Sequence, residues 1–155
     1  GFMHQTTSEP LLKQLLRYVM SDEARHVAFG VLSLKEVYDG MTDAEMKDRQ
    51  EFAFEASVRM RDRFIQQEVW EHFGMKPKEI APMVLKDPTR MVFQQMLFSK
   101  IVPNCKKLGL LDRNDAWLRH SFEDLGVIQF EDWENTGEEY LKFELGEETP
   151  NPIQH

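Results

Sequence analysis

The chain has 155 residues, 41% of them hydrophobic and 30% charged, with a net charge of −8. That is enough for one globular domain with a sizeable core. Residues 127–155 hold eight acidic side chains against Lys142 alone, which leaves −1 for the first 126. No basic stripe is left to neutralise phosphates and no apolar run approaches about 20 residues, so neither a nucleic-acid partner nor a membrane span is expected.

Cys105 is the single cysteine. It excludes an internal disulfide, suits a reducing, cytoplasmic setting, and reads as a small core residue rather than a nucleophile. Nine Met and eleven Phe suit a helix-packed core.

In chain order, Gly1 to His4 reads as the tail of a helix entering a loop. Thr7 and Ser8 then lead into Glu9 and Pro10, a helix start with proline in its first turn. A long helix is expected over residues 9–37, ending near Gly40. Thr42 and Glu45 form a capping box, which opens a second long helix to about residue 73, stopped by Gly74 with Pro77 beyond. Met46, Phe54, Val58, Ile65 and Val69 mark its buried face. Arg59, Arg61, Asp62 and Arg63 read as solvent face or interhelical pairs. The short Asp39-Gly40-Met41 turn predicts a long antiparallel helix hairpin.

Residues 80–86, bracketed by Pro77, Pro82 and Pro88, read as a loop or a single turn. Asp87-Pro88 caps a third helix over residues 89–102, with Pro103 kinking or splitting it before Gly109. A fourth helix is expected over residues 113–125, ended by Gly126. No segment alternates like a strand, so the fold class is all-α. Residues 1–126 form the helical body and residues 127–155 an acidic tail. The tail's apolar side chains (Phe130, Trp133, Tyr140, Leu141 and Phe143) are expected to dock on further polypeptide or another subunit. The alternative is a frayed end.

The first long helix carries the chemistry, in Asp22-Glu23-Ala24-Arg25-His26. Glu23 and His26 are three apart and project from one helix face. Leu12, Leu16, Val19, Val27, Gly30, Leu34 and Val37 make that face otherwise apolar, so a buried stripe is expected. A carboxylate and an imidazole on a buried stripe are costly unless something compensates them. A metal ion compensates both, and two-metal bundles take a Glu-x-x-His from each of two helices and a lone Glu from each of two others. Asp22 adds a carboxylate of the kind that orients ligating histidines, and Gly30 leaves room one turn on. The spacing alone is also satisfied by a Glu–His pair hydrogen-bonded across a helix interface.

The stretch YVMSDEARHVAFGVLSLKEVY, residues 18–38, resembles the second metal-binding helix of ferritin-like di-iron carboxylate proteins. These include ribonucleotide reductase radical subunits, bacterial multicomponent monooxygenases, acyl-carrier-protein desaturases and arylamine N-oxygenases. Within that superfamily it is most similar to bacterial ferritin-like oxidases or oxygenases. A looser likeness runs through the helix order and MLFSKIVPNCKKLGLL, residues 96–111.

The resemblance implies a ferritin-like helical bundle in which Glu23 and His26 are metal ligands. Asp22 would hold the histidine supplied by the other Glu-x-x-His helix, and Val19, Phe29 and Gly30 would lie near the pocket. It implies two iron ions, or a manganese–iron pair, acting with dioxygen on a small organic substrate, and it allows a homodimer. The family pattern has six protein ligands, of which two are matched here. The chain is therefore expected to be the C-terminal half of a longer enzyme, with the N-terminal half as its partner and little activity alone. The rivals are iron storage with ferroxidase activity, and a non-catalytic helical interaction module.

Other histidines are weaker candidates. Glu68 and His72 are four apart, but His72 ends a helix, where the dipole favours an imidazolium. His120 and Glu123 read as a helix-surface pair. His4 and His155 lie at the termini.

Overall fold

The computed structural model describes residues 2–133. These form α1 (Phe2–Thr6), α2 (Pro10–Asp39), α3 (Asp43–Arg63), α4 (Gln67–His72), α5 (Pro77–Leu85), α6 (Pro88–Lys107) and α7 (Arg113–Asp124), then a 3-10 turn at Ile128–Phe130. The described residues contain no strand, so this part of the chain is all-α. None of these helices is long and apolar enough to cross a membrane.

Helix starts follow local capping chemistry. The Glu9 carboxylate accepts from the Leu11 N–H, with Pro10 first in α2. At α3 the Thr42 hydroxyl accepts from Glu45 N–H at 3.3 Å and the Glu45 carboxylate accepts from Thr42 N–H at 2.9 Å. The Thr42 hydroxyl also donates to the Glu45 carboxylate at 2.7 Å, and this bond with that from Thr42 N–H holds the exposed Glu45 carboxyl below its usual range. Asp87 caps α6 by accepting from Arg90 N–H.

Several elements differ from expectation. The second long helix breaks at Phe64–Gln66, where Gln66 turns left-handed at φ +53°. Trp70 donates from its indole N–H to the Ile65 carbonyl at 2.8 Å, satisfying a group the break would otherwise orphan. Val69 and the end of that expected face therefore lie on a separate short helix. Residues 77–85 are helical rather than a loop. Pro77 starts α5, and Pro82 is tolerated because the carbonyl it leaves unpaired belongs to exposed Lys78. α6 runs through Pro103 unbroken.

The expected antiparallel hairpin of the first two long helices does not form. α3 packs along α7 and α6, whereas α2 rests on α1 and α6. The turn at Gly40 is short, but it does not decide which face a neighbour covers. Met46 of α3 is buried with residues of α6 and α7.

The core centres on Met46 of α3, Phe98, Val102 and Cys105 of α6, and Leu118 and Phe122 of α7. Phe54 stands edge-on to Trp117 at 5.8 Å, and Phe98 edge-on to Phe122 at 6.2 Å, arrangements aromatic rings prefer. Val127 and Phe130 are buried in the same cluster, and Trp133 packs against it 5.2 Å from Phe130. The packed body thus extends beyond residue 126. These first two tail rings dock on their own chain rather than on another. Tyr140, Leu141 and Phe143 lie outside the described residues.

An ion-pair chain fastens this segment. Arg119 bridges Asp112 at 2.9 Å and Glu131 at 2.9 Å, and Lys106 reaches Asp132 at 2.6 Å. Arg119 beside Glu131 holds that carboxyl below its usual 4.5. A depressed folded value stabilises the fold fully above pH 4.5 and loses that contribution as pH falls through the lower folded value. Glu131→Gln should therefore lower the free energy of unfolding at pH 7, measured in urea, by on the order of 1 kcal/mol, the pair's side chains being 24% and 23% exposed. The gap from wild type should close on acidification below pH 4.5. A gap that is constant with pH would show that the ion pair is not its source.

Candidate metal centre

Glu23 and His26 sit mid-way along α2, where no proline interrupts the helix between Leu11 and Asp39. The i,i+3 spacing brings His26 Nδ1 to 3.8 Å from Glu23 Oε2. Two donors that each bond a divalent ion at about 2.0–2.2 Å can share one ion when no more than about 4 Å apart, so the pair fits as two members of a ligand set. Val19 and Gly30 fall within about 40° of Glu23 around the helix, on the same face. A Cβ placed on Gly30 would meet no atom within 4 Å, so the space beside the pair is open.

The expected burial of this face is not observed. His26 is 77% exposed and Glu23 70%. The buried side of α2 is instead marked by Ala24 and Val31, about a quarter-turn round the helix from Glu23. Partly buried Tyr38 reaches the core near that side. The cause is the packing partner. α2 touches α1 and α6, and α3 is engaged with α7. Asp22 is exposed as well. Phe29 is 73% exposed and lies about 120° round the helix from Glu23, off the face it was expected to line.

Among the described residues no group of three or more His, Cys, Asp or Glu side chains is placed to hold a metal ion. Glu23 and His26 are thus brought together, with no third such side chain grouped with them among the described residues. Comparison with family models, curated proteins and solved structures returns no significant match to the chain.

The remaining candidates separate cleanly. Glu68 and His72 are both exposed on the short α4, and the His72 ring stands edge-on to Phe73 at 5.8 Å. His120 and Glu123 are exposed on α7. Cys105 is buried, and burial pushes its thiol up to about 12, so it carries no thiolate at neutral pH.

Sequence reasoning missed the best-ordered polar site. Gln50 is fully buried on α3 and donates to the carbonyls of Leu110 at 2.6 Å and Arg113 at 3.0 Å. Its own oxygen accepts from Asn114 Nδ2 at 3.0 Å, and that amide also donates to the Asp43 carbonyl. Arg113 pairs with Asp43 at 2.6 Å. These bonds hold Asn114, Asp115 and Ala116 at the mouth of α7 in left-handed conformation, with φ near +55°. Such residues cost roughly 1–2 kcal/mol each unless the surroundings fix them. Adjacent Asn and Asp after Gly109 were the available signal, since both tolerate this conformation.

Proposed function

We propose that α2 supplies one Glu-x-x-His arm of a dinuclear metal centre of the ferritin-like carboxylate type, in an oxidase or oxygenase. The observation that carries this reading is the pairing of a carboxylate and an imidazole 3.8 Å apart beside an open glycine, on a face that is otherwise apolar. In this reading Glu23 and His26 are ligands, and Asp22 orients a histidine on another helix. The other donors come from polypeptide outside residues 2–133 or from another chain. When bound, such a metal pair supplies redox chemistry with dioxygen toward a small organic substrate. The chain's own part is to present anionic and imidazole donors and to exclude water with Val19, Val27 and Leu34 once that face is covered.

The test is metal content of the protein carrying its full ligand set, in wild type and in Glu23→Ala and His26→Ala variants. Either substitution should lower bound metal by about tenfold or more. Retention of both ions in either variant would remove these residues as ligands.

A second reading is favoured by one specific observation. Leu11, Leu15, Tyr18, Val19, Phe29, Leu32 and Val37 are all exposed on α2, more apolar surface than a lone helix face usually leaves to water. α2 would then be an interaction helix, with Glu23 and His26 as an interfacial hydrogen-bonded pair. It predicts the same metal content in wild type and both variants.

A further inference from the structure

We propose that α2 pairs antiparallel with α2 of a second copy of this chain, through the stripe that runs from Leu15 to Leu32. Leu15, Tyr18, Asp22, Arg25, Phe29 and Leu32 follow one another at alternating intervals of three and four residues, the spacing of a helix–helix seam. The stripe lies about 140° round the helix from buried Ala24 and Val31, and the fold leaves it to water. Leu15 is 57% exposed, Tyr18 62%, Phe29 73% and Leu32 59%. These four residues present on the order of 600 Å², most of the about 800 Å² that each partner brings to a standard interface.

The order of residues along the stripe selects the occupant. A twofold axis crossing the helix between Glu23 and Ala24 reverses the partner's direction. It sets Leu15 against the partner's Leu32, Tyr18 against the partner's Phe29 and Asp22 against the partner's Arg25, and each pair recurs on the other side of the axis. Apolar side chains meet at both ends, and two opposite-charge pairs meet at the centre. Charged residues at the centre of an apolar seam fix its register and orientation. A parallel pair would set like charges together at both positions, which repulsion opposes. An unrelated apolar surface would cover both charges without offering a counter-ion. Glu23 and His26 lie about a quarter-turn to one side, so the seam leaves their face open and rests on neither reading of that pair. The second carboxylate oxygen of Asp22 remains for the histidine it is proposed to orient.

Sedimentation equilibrium of the 155-residue chain tests it. A seam of this modest area should give a dimer with a dissociation constant on the order of 10 µM. Asp22→Arg and Arg25→Asp each set like charges together at both central pairs and should weaken association at least about tenfold. The Asp22→Arg/Arg25→Asp double variant restores opposite charges and should return to within about threefold of wild type. Well below the dissociation constant the chain is a monomer, and Phe29→Ala should unfold as wild type does. Well above it the variant should melt lower, because it loses the stabilisation that dimerisation adds. A chain still monomeric at about 1 mM, single variants that associate as tightly as wild type, or a double variant as weak as the singles would each overturn the proposal.

Discussion

Gln50→Leu should lower the stability of the chain by about 2–4 kcal/mol, measured by urea unfolding. Leucine is close to glutamine in size, so the loss is chemical rather than a cavity. The carbonyls of Leu110 and Arg113 lose their donor, and the side-chain amide of Asn114 keeps only its bond to the Asp43 carbonyl. Each buried group left without a partner costs about 1–3 kcal/mol, although the Arg113 and Asn114 groups are only part-buried and can recruit water. The left-handed turn at Asn114–Ala116 then loses the contacts that fix it. Ala116→Gly, which removes the clash of a Cβ at φ +54°, should recover about 1 kcal/mol in the Gln50→Leu background. Unchanged stability in Gln50→Leu would mean the turn is held by something else.

Phe122→Ala should cost about 3–5 kcal/mol, a large part of the 5–15 kcal/mol available to a domain. The ring is fully buried and lies 6.0 Å from Phe54 and 6.2 Å from Phe98. Its removal opens a cavity where α3, α6 and α7 meet, and the two remaining rings, Phe54 and Phe98, are held on separate helices and cannot both shift to fill it. The melting temperature should fall on the order of 10 °C. Phe29→Ala is the contrast. That ring is 73% exposed on α2, and its loss should change stability by under about 0.5 kcal/mol. Comparable losses for the two variants would show that α2 is covered in solution.

Much of the fold was legible because caps and stops are local. Glu9-Pro10, Thr42 with Glu45, Asp87-Pro88 and Gly126 each act within four residues, and each bounds a helix where its chemistry says it should. The break at Gln66 was not legible, since glutamine carries no left-handed preference and the Trp70 indole that compensates it, five residues from Ile65, is an ordinary helix residue in the sequence. Packing was less legible than boundaries. The apolar pattern of α2 runs around much of its surface, and periodicity could not tell that Ala24 and Val31, rather than Glu23 and His26, would face the neighbour in this region. Gln50 and Arg90 read as ordinary polar helix residues. The fold leaves the first fully satisfied and two nitrogens of the second without a hydrogen-bond partner among the described residues. The acids after Gly126 read as part of a tail docking through its rings, and the pairing of Glu131 with Arg119 carried no sequence signal because it joins separate elements.

The central functional claim is that Glu23 and His26 share an ion. Titrating the 155-residue chain with Mn²⁺ while following amide line broadening tests this directly. The account predicts weak binding of well under two ions, with broadening centred on residues 23–30 and abolished by His26→Ala. No broadening there, or broadening that survives both His26→Ala and Glu23→Ala, would contradict it.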